Sequence, residues 1–435
     1  MTSGGPAFND RHVPNRPRIV PRMYSLDHKS LLNLRGTRLA GIGANVFFLG
    51  LTSMLTDVSS EMVTSILPIY LVFAIGLTPL QFGFLDGLSQ GAAALARLAS
   101  GLVADRWRRN REVAALGYGL SALCRPLLLA AGSAWGLVSM AIALERVGKG
   151  IRTSPRDALI SLSTEPARLG MAFGIHRALD TAGALLGPLV AFAILAALPQ
   201  AFDLVIVTSF FFAVAGLGAL LCFVRDVRPA DGAAARPHRP APGAVVALMR
   251  DARLRSLVVV GSLLGVFTVA DSFVFLLLQQ KLSTRPAWFP LFYAVTAVCY
   301  LSLAIPAGAL GDRFGRGRMF LVGHGLLVLA GVDLLVPGSS LFSGLLALAL
   351  LGAYYACTDG VLMALASPFV PGPLRASGLG IVATANGVAR LLASVAFGAL
   401  WSWRSMAFAL TLFTVGLACA AIVSARLLAR VEERA

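Results

Sequence analysis

Twelve long apolar segments dominate this chain, and each approaches the length that a helix needs to cross a lipid bilayer. Crossing the hydrocarbon core takes about 20 apolar residues. With 57% apolar and only 13% charged residues over 435 positions, the chain has more apolar surface than one water-soluble core could bury. We therefore expect an all-α, multi-pass integral membrane protein.

The apolar segments form two groups of six, separated by a polar stretch that is rich in Pro and Ala and cannot pack a core of its own. The predicted organisation is an N-terminal tail (1–38), a first six-helix bundle (39–224), a linker (225–253), a second six-helix bundle (254–428) and a short tail (429–435). The predicted spans, numbered 1 to 12, are residues 42–74, 80–104, 113–132, 135–153, 169–198, 204–224, 255–280, 288–311, 318–336, 340–366, 376–400 and 405–428.

Lys and Arg are concentrated on one side of the predicted spans, in the tails, in the linker and in the loops after spans 2, 4 and 8. Loops rich in Lys and Arg stay in the cytoplasm, so both termini are expected there, with the protein in a bacterial inner membrane. This distribution explains the net charge of +16 without a nucleic-acid partner. The basic loop residues are Arg106, Arg108, Arg109, Arg111, Lys149, Arg152, Arg156, Arg168, Arg313, Arg316 and Arg318.

A short motif of one acidic and several basic residues occurs once in each group. It reads GLVADRWRR at 101–109, after span 2, and GALGDRFGR at 308–316, after span 8. Related residues also begin spans 5 and 11, where Asp180 corresponds to Asn386. The chain therefore has the pattern of a duplicated bundle, and such repeats place a substrate site between the halves near the middle of the membrane.

The motif resembles the G-x-x-x-D-R-x-G-R-R/K loop of the major facilitator superfamily, which lies between helices 2 and 3 and recurs more weakly between helices 8 and 9. Here the second copy matches better, because Arg108 replaces the usual glycine of the first. The resemblance covers the whole chain and implies twelve helices in two pseudo-repeats that alternate access. It also implies a cytoplasmic gate formed by Gly101, Asp105, Arg106, Arg109, Gly308, Asp312, Arg313 and Arg316.

Two further segments carry resemblances. Residues 145–160, ERVGKGIRTSPRDALI, look like a bacterial branch of loosely annotated transporters. Span 5 contains Gly183, Gly187 and Pro188, a G-x-x-x-G-P run that resembles the motif of drug and proton antiporters in the superfamily. Glycines four residues apart also permit close helix packing by themselves, so a purely structural role is the alternative.

Ionisable residues inside the spans are the main candidates for function, because a charge at mid-membrane costs at least about 2.5–3.5 kcal/mol on insertion scales. Asp57 and Glu61 of span 1 are four residues apart and share one helix face, so one of them is a candidate proton carrier. A static framework of salt bridges is the alternative, above all for Glu145 and Arg146, which we expect near the cytoplasmic end. The other proton-coupling or cavity candidates are Asp86, Arg125, Arg146, His176, Arg177, Asp180, Asp271, Asp359, Asn386 and Arg390.

The predicted function is secondary transport of a small organic solute, as export against an inward proton flow. Proton-coupled uptake of a metabolite or siderophore uses the same fold, and a membrane sensor or scaffold that does not transport is the alternative of another class. The sequence has no G-x-x-x-x-G-K-[ST] loop and no catalytic constellation, so we expect no enzyme and no cofactor. Its Cys, His and Met residues lack metal-ligand spacing. The expected partners are the solute, protons and the bilayer, with the protein a monomer.

Because the copy of the motif at 308–316 is the intact one, we expect Asp312→Asn to reduce transport more than Asp105→Asn does. Transport by the two variants, compared at equal expression in the same membranes, tests this ranking. Equal losses, or a larger loss for Asp105→Asn, would contradict it.

Overall fold

The computed structural model describes residues 44–89, 91–92, 109–165, 168–227, 248–338, 340–359, 361–370 and 375–432. Within these ranges every regular element is a helix. The first part of the chain contains α1 (Ala44–Ile69, continued by a π-helical turn Tyr70–Ala74), α2 (79–89), α3 (Asn110–Ala131), α4 (Trp135–Leu162), α5 (Leu169–Ala197) and α6 (Phe202–Phe223).

The part after the linker contains α7 (Ala252–Val266), α8 (Asp271–Leu282), α9 (Phe289–Phe314), α10 (Arg316–Leu335), α11 (Leu341–Thr358), α12 (Val361–Ala366), α13 (Arg375–Trp403) and α14 (Met406–Glu432). Among the described residues, ten helical segments are long and apolar enough to cross a membrane. Predicted spans 2 and 4 are not among the ten. Most of span 2 lies outside the described residues, and span 4 has the length but carries too many charges.

Helix α4 extends farther than the sequence predicted. Its apolar stretch ends near residue 145, yet the helix continues to Leu162 over 28 residues, roughly 42 Å at 1.5 Å per residue. Lys149, Arg152 and Arg156 were therefore wrongly assigned to a loop: they lie within α4. Glu145 lies in the middle of the helix and not near its end. The charges do not end the helix because neighbouring helices neutralise them.

Two predicted spans are interrupted in the second part of the chain. Span 7 is divided into α7 and α8 by residues 267–270, so Asp271 is the first residue of α8, where free backbone N–H groups favour a carboxylate. Span 10 is divided after Thr358, and Asp359 has an extended backbone with ψ 123°. The prediction that Asp359 lies within a helix was wrong.

The helices pack in the same pairs in both parts of the chain. In the first part α1 packs against α5 and α6, and α3 packs against α4 and α6. In the second part α7 packs against α13 and α14, and α10 packs against α11 and α14. Each pairing thus has a counterpart at the equivalent position, as expected when two copies of one bundle diverge.

A tight contact between α2 and α13 joins the two parts at one end; we call it the seam. A Cβ atom added at Gly83 would lie 2.4 Å from the backbone oxygen of Ser394, and one at Gly398 would lie 2.3 Å from the oxygen of Pro79. Such approaches are possible only without a side chain. The Leu80 N–H also donates to Ser402 Oγ at 3.1 Å.

The same end is closed between α5 and the beginning of α9, where the Phe192 and Trp288 rings lie 6.4 Å apart. Toward the opposite end of α5, Gly170 and Gly174 lie on an exposed face, and a Cβ atom built on either meets no described atom within 4 Å. The same holds for Gly308, toward the far end of α9. Among the described residues, close backbone contact thus joins the two parts at the seam.

We expect Gly83→Val to separate the seam, because its side chain would overlap the α13 backbone. The measurement is the rate of disulfide formation between Leu80→Cys and Ser402→Cys in a background that lacks the native cysteines, with a several-fold decrease expected. Gly174→Val, the same change in open space, is the matched control and should leave the rate unchanged. An unchanged rate in Gly83→Val would show that the seam does not depend on this contact.

Candidate functional site

Helix α1 presents an acidic and polar face to a basic face of α4. Ser53, Asp57 and Glu61 follow one another at intervals of four residues, so they lie along one side of α1. Lys149 and Arg152, at helical spacing on α4, run in the opposite direction beside them. We call the contacts between these two faces the α1–α4 ladder.

Two ion pairs form the centre of the ladder. Arg152 Nη2 lies 3.4 Å from Asp57 Oδ1, and Lys149 Nζ lies 3.8 Å from Glu61 Oε1. The Arg152 side chain is buried, at 3% exposure; its guanidinium stands 4.8 Å from the Tyr118 ring centroid and donates to Ser121 Oγ at 3.3 Å. A buried arginine held by a carboxylate, a hydroxyl and an aromatic face has its charge and its orientation fixed.

Glu145 is the centre of a second group, on the side of the ladder toward α3. Its carboxylate lies 3.8 Å from Arg125 Nη2 and 3.5 Å from Arg146 Nε, and it accepts from Ser60 Oγ at 3.3 Å. Arg125 is buried and also donates to Ser59 and Ser60 of α1. These residues thus bind α1, α3 and α4 together.

Asp180 of α5 forms the third group. It accepts from Ser53 Oγ at 2.6 Å and lies 3.7 Å from both Arg156 Nη1 and Arg177 Nη1. Arg177 is mostly exposed, at 79%. His176 is buried beside this group, interacts electrostatically with Arg156 and Asp180, and has no hydrogen-bond partner for Nε2 among the described residues.

The antiporter-like motif of α5 allows these groups to meet. Gly183 and Gly187 are buried against α1, where added Cβ atoms would lie 2.4 Å from the Met54 oxygen and 2.8 Å from Glu61 Cβ. Pro188 is buried in the same contact region of the helix. The glycines therefore bring α5 against the α1 turn that carries Glu61, which is a packing role whatever else the motif does.

The second part of the chain has a smaller charged group at the start of α8. Asp271 Oδ1 accepts from the Tyr355 hydroxyl at 2.5 Å, and Arg390 of α13 interacts electrostatically with both. Asn386 packs against Gly265 of α7. Asp359 is exposed and accepts from Tyr300 Oη at 3.1 Å, apart from this group.

A cavity of about 50 Å³ lies between the two parts of the chain, next to the seam. Thr64, Asp86 and Arg146 line it from the first part, and Ser272 and Tyr293 from the second. Asp86 accepts from Ser272 Oγ at 2.7 Å and from Ser394 Oγ at 2.9 Å. A carboxylate of α2 thus binds two hydroxyls across the junction, on α8 and α13.

The predicted gate is described only in part, because Gly101, Asp105 and Arg106 lie outside the described residues. Arg109 pairs with Glu112 at 3.0 Å on the surface. Asp312 and Arg316, 2.8 Å apart and both exposed, join the end of α9 to the start of α10. Arg313 stacks on Phe314 at 5.3 Å.

Sequence reasoning found the carboxylates of this site but missed most of their partners. Lys149, Arg152 and Arg156 were counted as topology signals, and the serines of α1 were not identified as partners of the charged residues. A usable signal was present: Lys149, Arg152 and Arg156 repeat at intervals of three and four, as Asp57 and Glu61 do, so two helices carry complementary stripes.

A bundle of apolar helices with matched charges in its interior, and with a small cavity between two similar parts that contains a carboxylate and a guanidinium, is typical of a membrane transporter. The model of the Major Facilitator Superfamily matches residues 49–394. The chain therefore belongs to this superfamily, as the sequence predicted, and is an MFS-type membrane transporter.

Relatives and solved structures agree with this assignment. An uncharacterised MFS-type transporter of Methanocaldococcus jannaschii is 31% identical over 375 residues, which cover 83% of this chain and 89% of the relative. An uncharacterised protein of Mycobacterium tuberculosis is 39% identical over 147 residues, 34% of this chain and 36% of that protein.

Among solved structures, the nucleoside transporter NupG in a mutant form superimposes with a TM-score of 0.77 at 13% identity, over 88% of this chain and 99% of that one. The POT family transporter PepTSo gives 0.75 at 12% identity, over 90% and 99%. Both identities are low, so these structures show the fold alone.

We expect the Asp57 and Arg152 charges to stabilise each other. Asp57→Asn or Arg152→Gln alone should lower the melting temperature of the purified protein, because each leaves a buried charge unpaired. The double variant should be less destabilised than the sum of the two, with a coupling of about 0.5–3 kcal/mol.

The control is the same double-variant cycle at the exposed pair Glu165 and Arg168, whose charged atoms lie 3.9 Å apart. The effects of Glu165→Gln and Arg168→Gln on the melting temperature should be additive, because exposed ion pairs contribute little to stability. Additive effects at Asp57 and Arg152 as well would show that the pair is not energetically coupled.

Proposed function

We propose that the protein is a proton-coupled secondary transporter that exports a small organic solute by alternating access. Protons pass through the carboxylates of the α1–α4 ladder, and the solute occupies the region between the two parts of the chain. Twelve spans, cytoplasmic termini, a bacterial inner membrane and a monomeric state belong to the same proposal.

The observation that carries this proposal is the geometry of Asp57 and Glu61. Each carboxylate is close to one cation, at 3.4 and 3.8 Å, and the side chains of Lys149 and Glu61 are both only half-buried. Protonation of either carboxylate would remove its attraction for the cation and change the contact between α1 and α4. Proton binding would thus change the contact between two helices directly, and a coupled transporter requires such a link between proton binding and conformation.

Alternating access is supported by the seam, where α2 and α13 of the two parts meet through close backbone contact. In the predicted topology the seam lies at the extracytoplasmic end, so this contact holds that end closed while a substrate for export enters from the cytoplasm.

Export is favoured over uptake by the Gly183 to Pro188 motif, which resembles that of drug and proton antiporters. The solute class is supported by the structural neighbours, which include a nucleoside transporter, a POT family transporter in complex with 5-aminolevulinic acid and a human organic anion transporter. All are carriers of small organic molecules.

Inverted membrane vesicles with an imposed acid interior test the direction of coupling. A solute added outside faces the cytoplasmic side, so an exporter would take it up and release protons, and the pH gradient would fall. Nucleosides, peptides, 5-aminolevulinic acid and organic anions form a reasonable first panel. We expect one class to dissipate the gradient, and the double change Asp57→Asn with Glu61→Gln to abolish the response while the protein still elutes as a folded species.

Glu165→Gln, which removes an exposed carboxylate outside the bundle interior, is the matched control and should respond like the unaltered protein. Efflux of protons together with preloaded solute would identify a symporter instead. A full response in the double variant would exclude the ladder carboxylates as the coupling site, and silence toward every solute would favour the sensor or scaffold.

A further inference from the structure

Asp86 differs from the other carboxylates in the interior of the first part of the chain. Asp57, Glu61, Glu145 and Asp180 each have a Lys or Arg nitrogen within 4 Å. In the part of the chain that the structure describes, Asp86 has no such cation and is held by the Ser272 and Ser394 hydroxyls alone. It is a half-buried negative charge without a matched positive charge in contact, which is costly unless a ligand supplies one.

Arg146 is the complementary case on α4. Its Nε is buried and makes no hydrogen bond among the described residues, although the Glu145 carboxylate lies 3.5 Å away. Glu145 is shared with Arg125 and Ser60, so Arg146 has only part of one carboxylate. The Arg146 side chain is 24% exposed and interacts electrostatically with Glu61, Asp86 and Tyr293 as well as with Glu145. Arg146 thus lines the same cavity as Asp86 and has a donor, Nε, that makes no hydrogen bond among the described residues.

The size of the cavity limits what these two groups can bind. A single water needs about 10–15 Å³ of such space, so about 50 Å³ holds a few atoms of that size and not a drug-sized molecule. Thr64, Ser272 and Tyr293 supply hydroxyls around the charges. This is space for the polar head of a solute whose remainder extends away from the seam.

We propose that the cavity binds the head of a small zwitterion, with the solute ammonium on Asp86 and the solute carboxylate on Arg146. The proposal names the substrate class of the transport function proposed above, and it depends on that function. A solute with only an amine would bring a second cation beside Arg146, and one with only an acid would bring a second anion beside Asp86. A zwitterion supplies both missing partners without changing the net charge of the cavity.

Binding of matched small molecules to the full-length protein in lipid nanodiscs tests the proposal, by isothermal titration without a proton gradient. The probes are glycine, β-alanine and 4-aminobutyrate, whose charges are separated by one, two and three carbons, with propylamine and propionate as the amine and the acid that match β-alanine. We expect β-alanine to bind at least about tenfold more tightly than either, as charge-assisted hydrogen bonds at both ends imply.

Single substitutions assign the two ends of the solute. In Asp86→Asn, β-alanine should no longer bind more tightly than propionate. In Arg146→Gln, β-alanine should no longer bind more tightly than propylamine. Glu165→Gln, the control, should change neither affinity ratio. Asp86→Glu, which keeps the charge and extends the side chain by one methylene, should shift the preference toward a shorter zwitterion. This variant remains informative if Asp86→Asn does not fold.

Three results would overturn the proposal: equal binding of the zwitterion and one of its single-charge analogues, zwitterion binding that neither substitution weakens, or no zwitterion binding at saturating concentrations. Failure here is separable from failure of the transport function. Proton-coupled transport of an amine or an acid would refute only the zwitterion, and zwitterion binding without proton movement would refute only the coupling.

Discussion

The neutralisation of the charges on α4 is the constraint on which the rest of the structure depends. From Glu145 onward this helix carries six charged residues, a density that an isolated membrane helix could not carry at the insertion cost of each charge. They are Glu145, Arg146, Lys149, Arg152, Arg156 and Asp157. The helix is stable in the bundle because α1, α3 and α5 place opposite charges and hydroxyls beside the charged residues of α4. Because the ladder pairs Asp57 with Arg152 and Glu61 with Lys149, it fixes the antiparallel register of α1 and α4.

Close helix packing and charge pairing are two aspects of one design. Asp180 reaches Ser53 and Arg156 only because α5 lies directly on α1, and the buried Gly183 and Gly187 allow that approach. A larger residue at Gly187 would displace Glu61 as well as widen the helix pair. The motif that resembles an antiporter signature therefore positions the proton-coupling candidates, so a packing role and a functional role need not be alternatives.

Much of the fold was predictable from the long apolar segments. A segment that crosses a bilayer must satisfy its own backbone hydrogen bonds, so it forms a helix. The end of α4 was not predictable, because a hydropathy pattern stops at the first charges. The partners of those charges are in other helices: Asp57 is 95 residues from Arg152.

The interruptions at residues 267–270 and after Thr358 also escaped prediction, since both have long apolar segments on either side. For the same reason Asp359 was wrongly placed inside a helix, and Asp271 was not expected at the start of one. The carboxylates of the site could be found in the sequence because charged residues are rare within apolar spans. Their partners could be identified only from the three-dimensional arrangement.

The contacts within each part of the chain differ in kind from those between the parts. Within the first part, ion pairs join α4 to α1, α3 and α5, and separating a buried pair costs about 3–5 kcal/mol because it leaves a charge unpaired. Across the junction, the described contacts of Asp86 are to the Ser272 and Ser394 hydroxyls. The seam adds close backbone contacts and the hydrogen bond from the Leu80 N–H to Ser402 Oγ. When the junction opens and fills with water, these groups are rehydrated, and among the described residues no ion pair between the two parts has to be broken. The strong interactions thus keep each part rigid, and the weaker ones lie where an alternating-access transporter must separate.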